Sequence, residues 1–172
     1  YNNKRPEIEV KAVKKSQNDD VTLKGATYGL FTAEDIKVGE KVIVAKDTLL
    51  ESVVSNQDGV AAFTVDLPIN HKYYILETIA PDKYYQTDEK FEFEYVYKND
   101  TTYQYVFSHI FKNEEVRAEI HIEKIDKETN EFLPQGDATL IGAEYGLFAA
   151  ENISHPNGKS EDVYKKGDLV AR

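Results

Sequence analysis

The chain has 172 residues, with 31 acidic against 21 basic side chains, no Cys, Met or Trp, and 12 Tyr beside 8 Phe. Without cysteine there can be no disulfide scaffold, thiol nucleophile, thiolate zinc site or iron–sulfur cluster, and a formal net charge of −10 disfavours nucleic acid and anionic membrane surfaces, which attract clustered Lys and Arg. A hydrophobic share of 41% is enough to fill a core, no apolar run or basic leader suggests membrane insertion or targeting, and Tyr1 in place of an initiator Met reads as a piece of something longer.

The first predicted element is a strand in which Ile8, Val10 and Ala12 alternate with polar neighbours until Lys14 closes the series. Glu40 to Val54 fits either a strand hairpin or a short helix, with Val42-Ile43-Val44-Ala45 favouring strand at its start. Asn56-Gln57-Asp58-Gly59 is a turn signal, followed by strands over Val60–Val65 and Lys72–Thr78. Phe91, Phe93, Tyr95 and Tyr97 share one face of a further strand, and Tyr103, Tyr105, Phe107, His109 and Phe111 repeat the period of two. No comparably long segment carries a helical stripe. Seven or eight short strands separated by turns predict an all-β sandwich, immunoglobulin-like in architecture.

The sequence also repeats itself. Residues 25–36, Gly-Ala-Thr-Tyr-Gly-Leu-Phe-Thr-Ala-Glu-Asp-Ile, return at 142–153 as Gly-Ala-Glu-Tyr-Gly-Leu-Phe-Ala-Ala-Glu-Asn-Ile. Upstream, Ala118, Ile120, Ile122 and Lys124 match Ile8, Val10, Ala12 and Lys14, so a duplicated strand is expected there. The longer spacing from Lys124 to its Gly-Ala pair predicts a loop insertion around Leu133 to Asp137. The expected organisation is one complete domain over 6–114 and the N-terminal half of a second over 116–172, with the native chain continuing beyond Arg172.

Residues 73–84, Tyr-Tyr-Ile-Leu-Glu-Thr-Ile-Ala-Pro-Asp-Lys-Tyr, resemble the E-box of Gram-positive pilins and adhesins, Tyr-x-Leu-x-Glu-Thr-x-Ala-Pro-x-Gly-Tyr. Ile75 stands for Leu, and Lys83 departs from the Gly. Together with the strand ending in Lys14, the Leu23-x-Gly25-Ala26 element, the Asp58-Gly59 turn and a last strand closing on Asn113, the chain resembles a Cna protein B-type domain, also called the SpaA-like prealbumin-like fold. The resemblance covers nearly all of the first copy and the front of the second.

In many such domains an inward Lys of the first strand bonds covalently to an inward Asn of the last, helped by the E-box Glu. The resemblance assigns those roles to Lys14, Asn113 and Glu77, with Glu77 as proton shuttle, and makes Lys124 the matching cross-link Lys of the second copy. Burial favours the neutral, nucleophilic amine that such chemistry needs. The bond forms once, with loss of ammonia, so no enzyme turnover, cofactor or metal is implied. The implied function is a structural stalk repeat of a cell-wall-anchored Gram-positive surface adhesin or pilin. Its partners would be neighbouring repeats of the same chain and, through an adhesive role, host extracellular matrix or glycan. Two alternatives stay open: a ligand-binding adhesin module recognising matrix protein or glycan, and an accessory sandwich domain of a secreted hydrolase.

Other signals are weaker. Leu133-Pro134-Gln135-Gly136-Asp137 lacks the Thr of a sortase signal and reads as a loop; Asp126-x-Glu128-x-Asn130 opens like a calcium loop but has Glu131 where the turn Gly is required. His71, His109, His121 and His155 lack mutual ligand spacing, and Tyr97-Lys98 lacks the Pro of a pilin motif.

Overall fold

Alternation is realised most fully in β1 (Glu7–Ser16), where Val10, Ala12, Lys14 and Ser16 turn inward and the odd residues stay partly or fully exposed. The computed structural model describes residues 6–99, 101–155 and 161–172, and the chain divides into two units, 1–116 and 117–172. All regular elements among the described residues are strands.

In the first unit β1 is the middle strand of a three-stranded sheet. It pairs antiparallel with β6 (Val60–Phe63) and parallel with β9 (Gln104–Asn113), in the order β6-β1-β9. A second sheet has the order β5-β2-β7-β8, built from β2 (Thr27–Thr32), β5 (Leu49–Val54), β7 (His71–Ile79) and β8 (Lys90–Tyr95). Between β2 and β5 the short strands β3 (Ile36–Val38) and β4 (Lys41–Val44) form a separate hairpin. The Glu40–Val54 segment is therefore strand throughout its regular parts, as its β-branched residues favour.

The inner faces of the two sheets share one core. Val10 and Ala12 of β1, Phe63 of β6 and Phe111 of β9 meet Tyr28 and Leu30 of β2, Tyr73 and Ile75 of β7, and Phe93 and Tyr95 of β8. Aromatic pairs bridge the seam, with ring centroids 5.0 Å apart for Tyr28 and Phe111 and 4.4 Å for Phe93 and Phe107. Burying each such side chain stabilises by roughly 1.5–3 kcal/mol. At one end of the core, Thr32 is fully buried; its Oγ1 donates to Ala45 O at 2.7 Å and accepts from Thr48 N at 3.0 Å. Tyr97 and Tyr103, which extend the aromatic series in the sequence, are exposed, because β8 ends at Tyr95 and β9 begins only at Gln104.

Among its described residues the second unit contains two small ladders, β10 (Leu147–Phe148) with β13 (Leu169–Ala171) and β11 (Ile153–Ser154) with β12 (Asp162–Tyr164). Local geometry around the repeated segment recurs. Thr32 N donates to Thr48 O at 3.1 Å and Asp47 N to Thr32 O at 2.8 Å; Ala149 N donates to Asp168 O at 2.9 Å and Gly167 N to Ala149 O at 2.8 Å. The expected duplicate strand is not formed: residues 118–124 lie outside every strand, and Ile120 and Ile122 are more than half exposed. A strand needs ladder partners on its backbone, and the described residues of this unit contain no counterparts of β6 or β9.

Candidate functional site

Where the first and last strands of the first unit run side by side, parallel pairing sets Lys14 opposite Phe111 and Ser16 opposite Asn113. Even parity on β1 turns Lys14 to the inner face, and its backbone is fixed on both sides: Lys14 N donates to Gly59 O at 2.7 Å and Leu23 N donates to Lys14 O at 3.0 Å. Gly59 holds φ +75°, and a Cβ there would stand 2.6 Å from Lys14 O, so the turn after β5 can approach β1 only as glycine. From the facing sheet, Tyr73, Ile75 and Glu77 share the buried parity of β7.

The three candidates meet in the interior. Lys14 and Glu77 are fully buried and Asn113 is 2% exposed. Lys14 Nζ lies 3.4 Å from Glu77 Oε1, within ion-pair distance but making no aligned hydrogen bond. Asn113 Nδ2 donates to Glu77 Oε2 at 2.7 Å, and Thr87 N donates to the same oxygen at 3.1 Å. Gln86 Nε2 donates to Glu77 O at 3.0 Å, which secures the segment carrying Thr87. One carboxyl oxygen thus faces the Lys14 amine and the other the Asn113 amide.

Loss of solvent lowers the Lys14 amine from its usual 10.5 to about 8, against the opposing pull of the Glu77 carboxylate and its side-chain contact. Lys14 Nζ, Glu77 Oε1, Asn113 Oδ1 and Tyr28 Oη are all buried without a hydrogen-bond partner. So many unsatisfied polar atoms grouped in one core are costly. A surface cleft of about 300 Å³ lined by Gln17, Thr87, Asn113 and Glu114 reaches the Asn113 end of the group.

The structure brings Lys14, Glu77 and Asn113 together, while Lys124 belongs to the second unit. Lys124 is exposed and its Nζ donates to the neighbouring Ile125 O at 3.0 Å. Lys83, the departure from the E-box pattern, sits at φ +68°, so a lysine occupies a backbone conformation that glycine adopts without strain. Asp126 forms a local turn, accepting from Glu128 N at 2.8 Å and Thr129 N at 3.3 Å; those bonds hold its carboxyl below the ordinary range. Leu133 is exposed. His71, His109 and His121 each face one carboxylate, of Glu34, Glu89 and Glu119. Sequence reasoning misses Tyr28 and Thr87; Tyr28 stands in the repeated Gly-Ala-x-Tyr element, but only cross-strand register sets it opposite Glu77.

Residues 8–109 match the family model described as SpaA: Prealbumin-like fold domain; Lys14 and Glu77 lie within the match and Asn113 just beyond it. No curated protein matches the chain. Among solved structures, the chain is similar to the Bacillus anthracis TIE protein (22% identity, TM-score 0.48, 64% of this chain and 18% of that one). It is also similar to the group B streptococcus pilus 2b backbone protein (15%, 0.44, 63% and 41%) and the full-length major pilin SpaD from Corynebacterium diphtheriae (20%, 0.46, 67% and 31%). The chain spans less than half the length of each.

Proposed function

Because the chain belongs to the SpaA prealbumin-like fold family, we propose that residues 6–114 are a structural stalk module of a Gram-positive surface adhesin or pilin, locked by an isopeptide bond between Lys14 and Asn113. Residues 116–172 are, on this reading, the front of a second module of the same kind, in which Lys124 takes the place of Lys14. Its partners are the neighbouring modules, and its location is the cell-wall-anchored exterior.

The observation that carries the reading is the division of the Glu77 carboxyl between the two reactants, one oxygen 3.4 Å from Lys14 Nζ and the other accepting at 2.7 Å from Asn113 Nδ2. The lysine ammonium passes a proton to Glu77, and the neutral amine attacks Asn113 Cγ. Glu77 hands that proton to the amide nitrogen as its bond to Cγ breaks, then takes the surplus proton from the attacking nitrogen and passes it to the departing ammonia, which leaves as an ammonium ion. Overall, an ammonium and an amide become a substituted amide and an ammonium ion, and Glu77 starts and ends as a carboxylate. Fixed geometry in a dry interior supplies the effective concentration. The cleft beside Asn113 offers the leaving group a route to water.

The test is the intact mass of the 172-residue protein beside Lys14→Ala and Glu77→Gln variants. The parent is expected to be lighter than its calculated mass by one ammonia, and both variants to have full mass. A parent at full mass overturns the cross-link and with it the mechanical reading.

A further inference from the structure

Tyr28 is fully buried, yet its hydroxyl makes no hydrogen bond. The hydroxyls of Tyr73, Tyr74 and Tyr84 instead bond to Pro68 O, Asp47 Oδ1 and Glu115 Oε1. Two contacts fix where the Tyr28 ring stands. In the β2–β7 ladder Tyr28 is the cross-strand neighbour of Glu77, so their side chains rise from the same face. Across the core its ring packs on Phe111, which is itself opposite Lys14 in the β1–β9 ladder. The phenol is therefore set between the Glu77 carboxyl and the strand pair that carries the two reacting side chains.

The orphaned atoms of the site divide into two donors, Lys14 Nζ and Tyr28 Oη, and two acceptors, Glu77 Oε1 and Asn113 Oδ1. Closure weakens the first donor, because the ammonium that faced Oε1 becomes a neutral amide nitrogen with a single N–H. Glu77 then remains as a buried carboxylate with one oxygen held by Thr87 N and the other without a cation. A buried carboxylate that has lost its cation is unfavourable unless other donors take the cation's place.

We propose that Tyr28 is a positioning residue for the cross-link, its hydroxyl donating to the Glu77 carboxyl so that this group keeps its place and gives up its proton as Lys14 enters the bond. Burial and the neighbouring Glu77 push the Tyr28 phenol well above its ordinary range, so it stays a donor at any working pH. The inference rests on the cross-link reading above and adds a fourth residue to it.

The test is the time course of ammonia loss, by intact mass, after the denatured and still unbonded chain is diluted into folding buffer over a range of pH. Tyr28→Phe keeps the ring on Phe111 and removes only the hydroxyl. It is expected to slow closure by roughly 10- to 100-fold, the effect of one hydrogen bond to a charged group, and to displace the pH–rate profile. The same change made in an Asn113→Ala background, which cannot close, is expected to leave the unfolding midpoint nearly unchanged. Closure of Tyr28→Phe at the parental rate and profile overturns the proposal. So does slow closure matched by an equal loss of stability in the Asn113→Ala background, since that marks a packing role. A parental chain that never loses ammonia refutes the cross-link itself and this inference along with it.

Discussion

Replacing Asn113 with Ala leaves Lys14 and Glu77 in place but removes the carbon that Lys14 would attack, so the variant reports what the open site costs. Two contributions follow from the structure. The proposed bond would tie residues about 100 positions apart, and constraining an unfolded loop of that length is worth about 5 kcal/mol. The open chain also retains a buried amine whose folded pKa is about 8 against the ordinary 10.5 of a solvated lysine, a difference worth about 3 kcal/mol when both forms are protonated. Together they separate the closed parent from the open variant by about 8 kcal/mol near neutral pH. The second contribution carries a sign. Between pH 8 and 10.5 the unfolded variant holds more protons than the folded one, so its stability rises with pH; the closed parent has no titrating amine at position 14. The separation is therefore expected to narrow by about 3 kcal/mol across that window. Guanidinium unfolding followed by tyrosine fluorescence measures it, the chain having 12 Tyr and no Trp. A separation that stays constant or widens over the same pH range would refute the assignment of Lys14 as a buried, destabilising charge.

Gly59→Ala puts a Cβ 2.6 Å from Lys14 O at a positive φ; it is expected to destabilise by about 2 kcal/mol or more and to slow ammonia loss measured by mass, because the turn that fixes Lys14 must move. Lys83→Gly relieves a lysine at φ +68° and is expected to be neutral or to stabilise by up to about 1 kcal/mol in thermal unfolding, whereas Lys→Gly within a strand would destabilise. Thr32→Val leaves Thr48 N without its Oγ1 acceptor and is expected to cost about 1–3 kcal/mol in denaturant unfolding.

Local pattern carried much of this structure and little of its long-range pairing. The inward parity of Lys14 was legible because four consecutive even positions of β1 follow one rule, and Glu77 because Tyr73 and Ile75 fix its face. Asn113 was reached only through the resemblance to the family; the aromatic alternation placed the strand as far as Phe111, and the structure extends it to Asn113. Tyr28 was visible only as an aromatic strand residue, since its place opposite Glu77 depends on a ladder whose register shifts between Thr27 and Tyr28. The segment from Ala118 to Lys124 carries the same alternation as β1 without becoming a strand, because alternation describes a face and says nothing about a hydrogen-bonding partner. The parallel pairing of β1 with β9 is likewise absent from any local pattern.

That parallel ladder governs when the domain is finished. Its ten registered pairs join the first strand of the unit to the last, so these contacts span nearly the whole unit in sequence and place it among slow, high-contact-order folds. The inner edge of β1 stays open until residue 113 is available to dock. A slip of one residue would turn Lys14 away from the core and carry it out of reach of Glu77. Ammonia release would then be a chemical timestamp: each chain that has lost it has docked its final strand in register, and the fraction still at full mass counts those that have not.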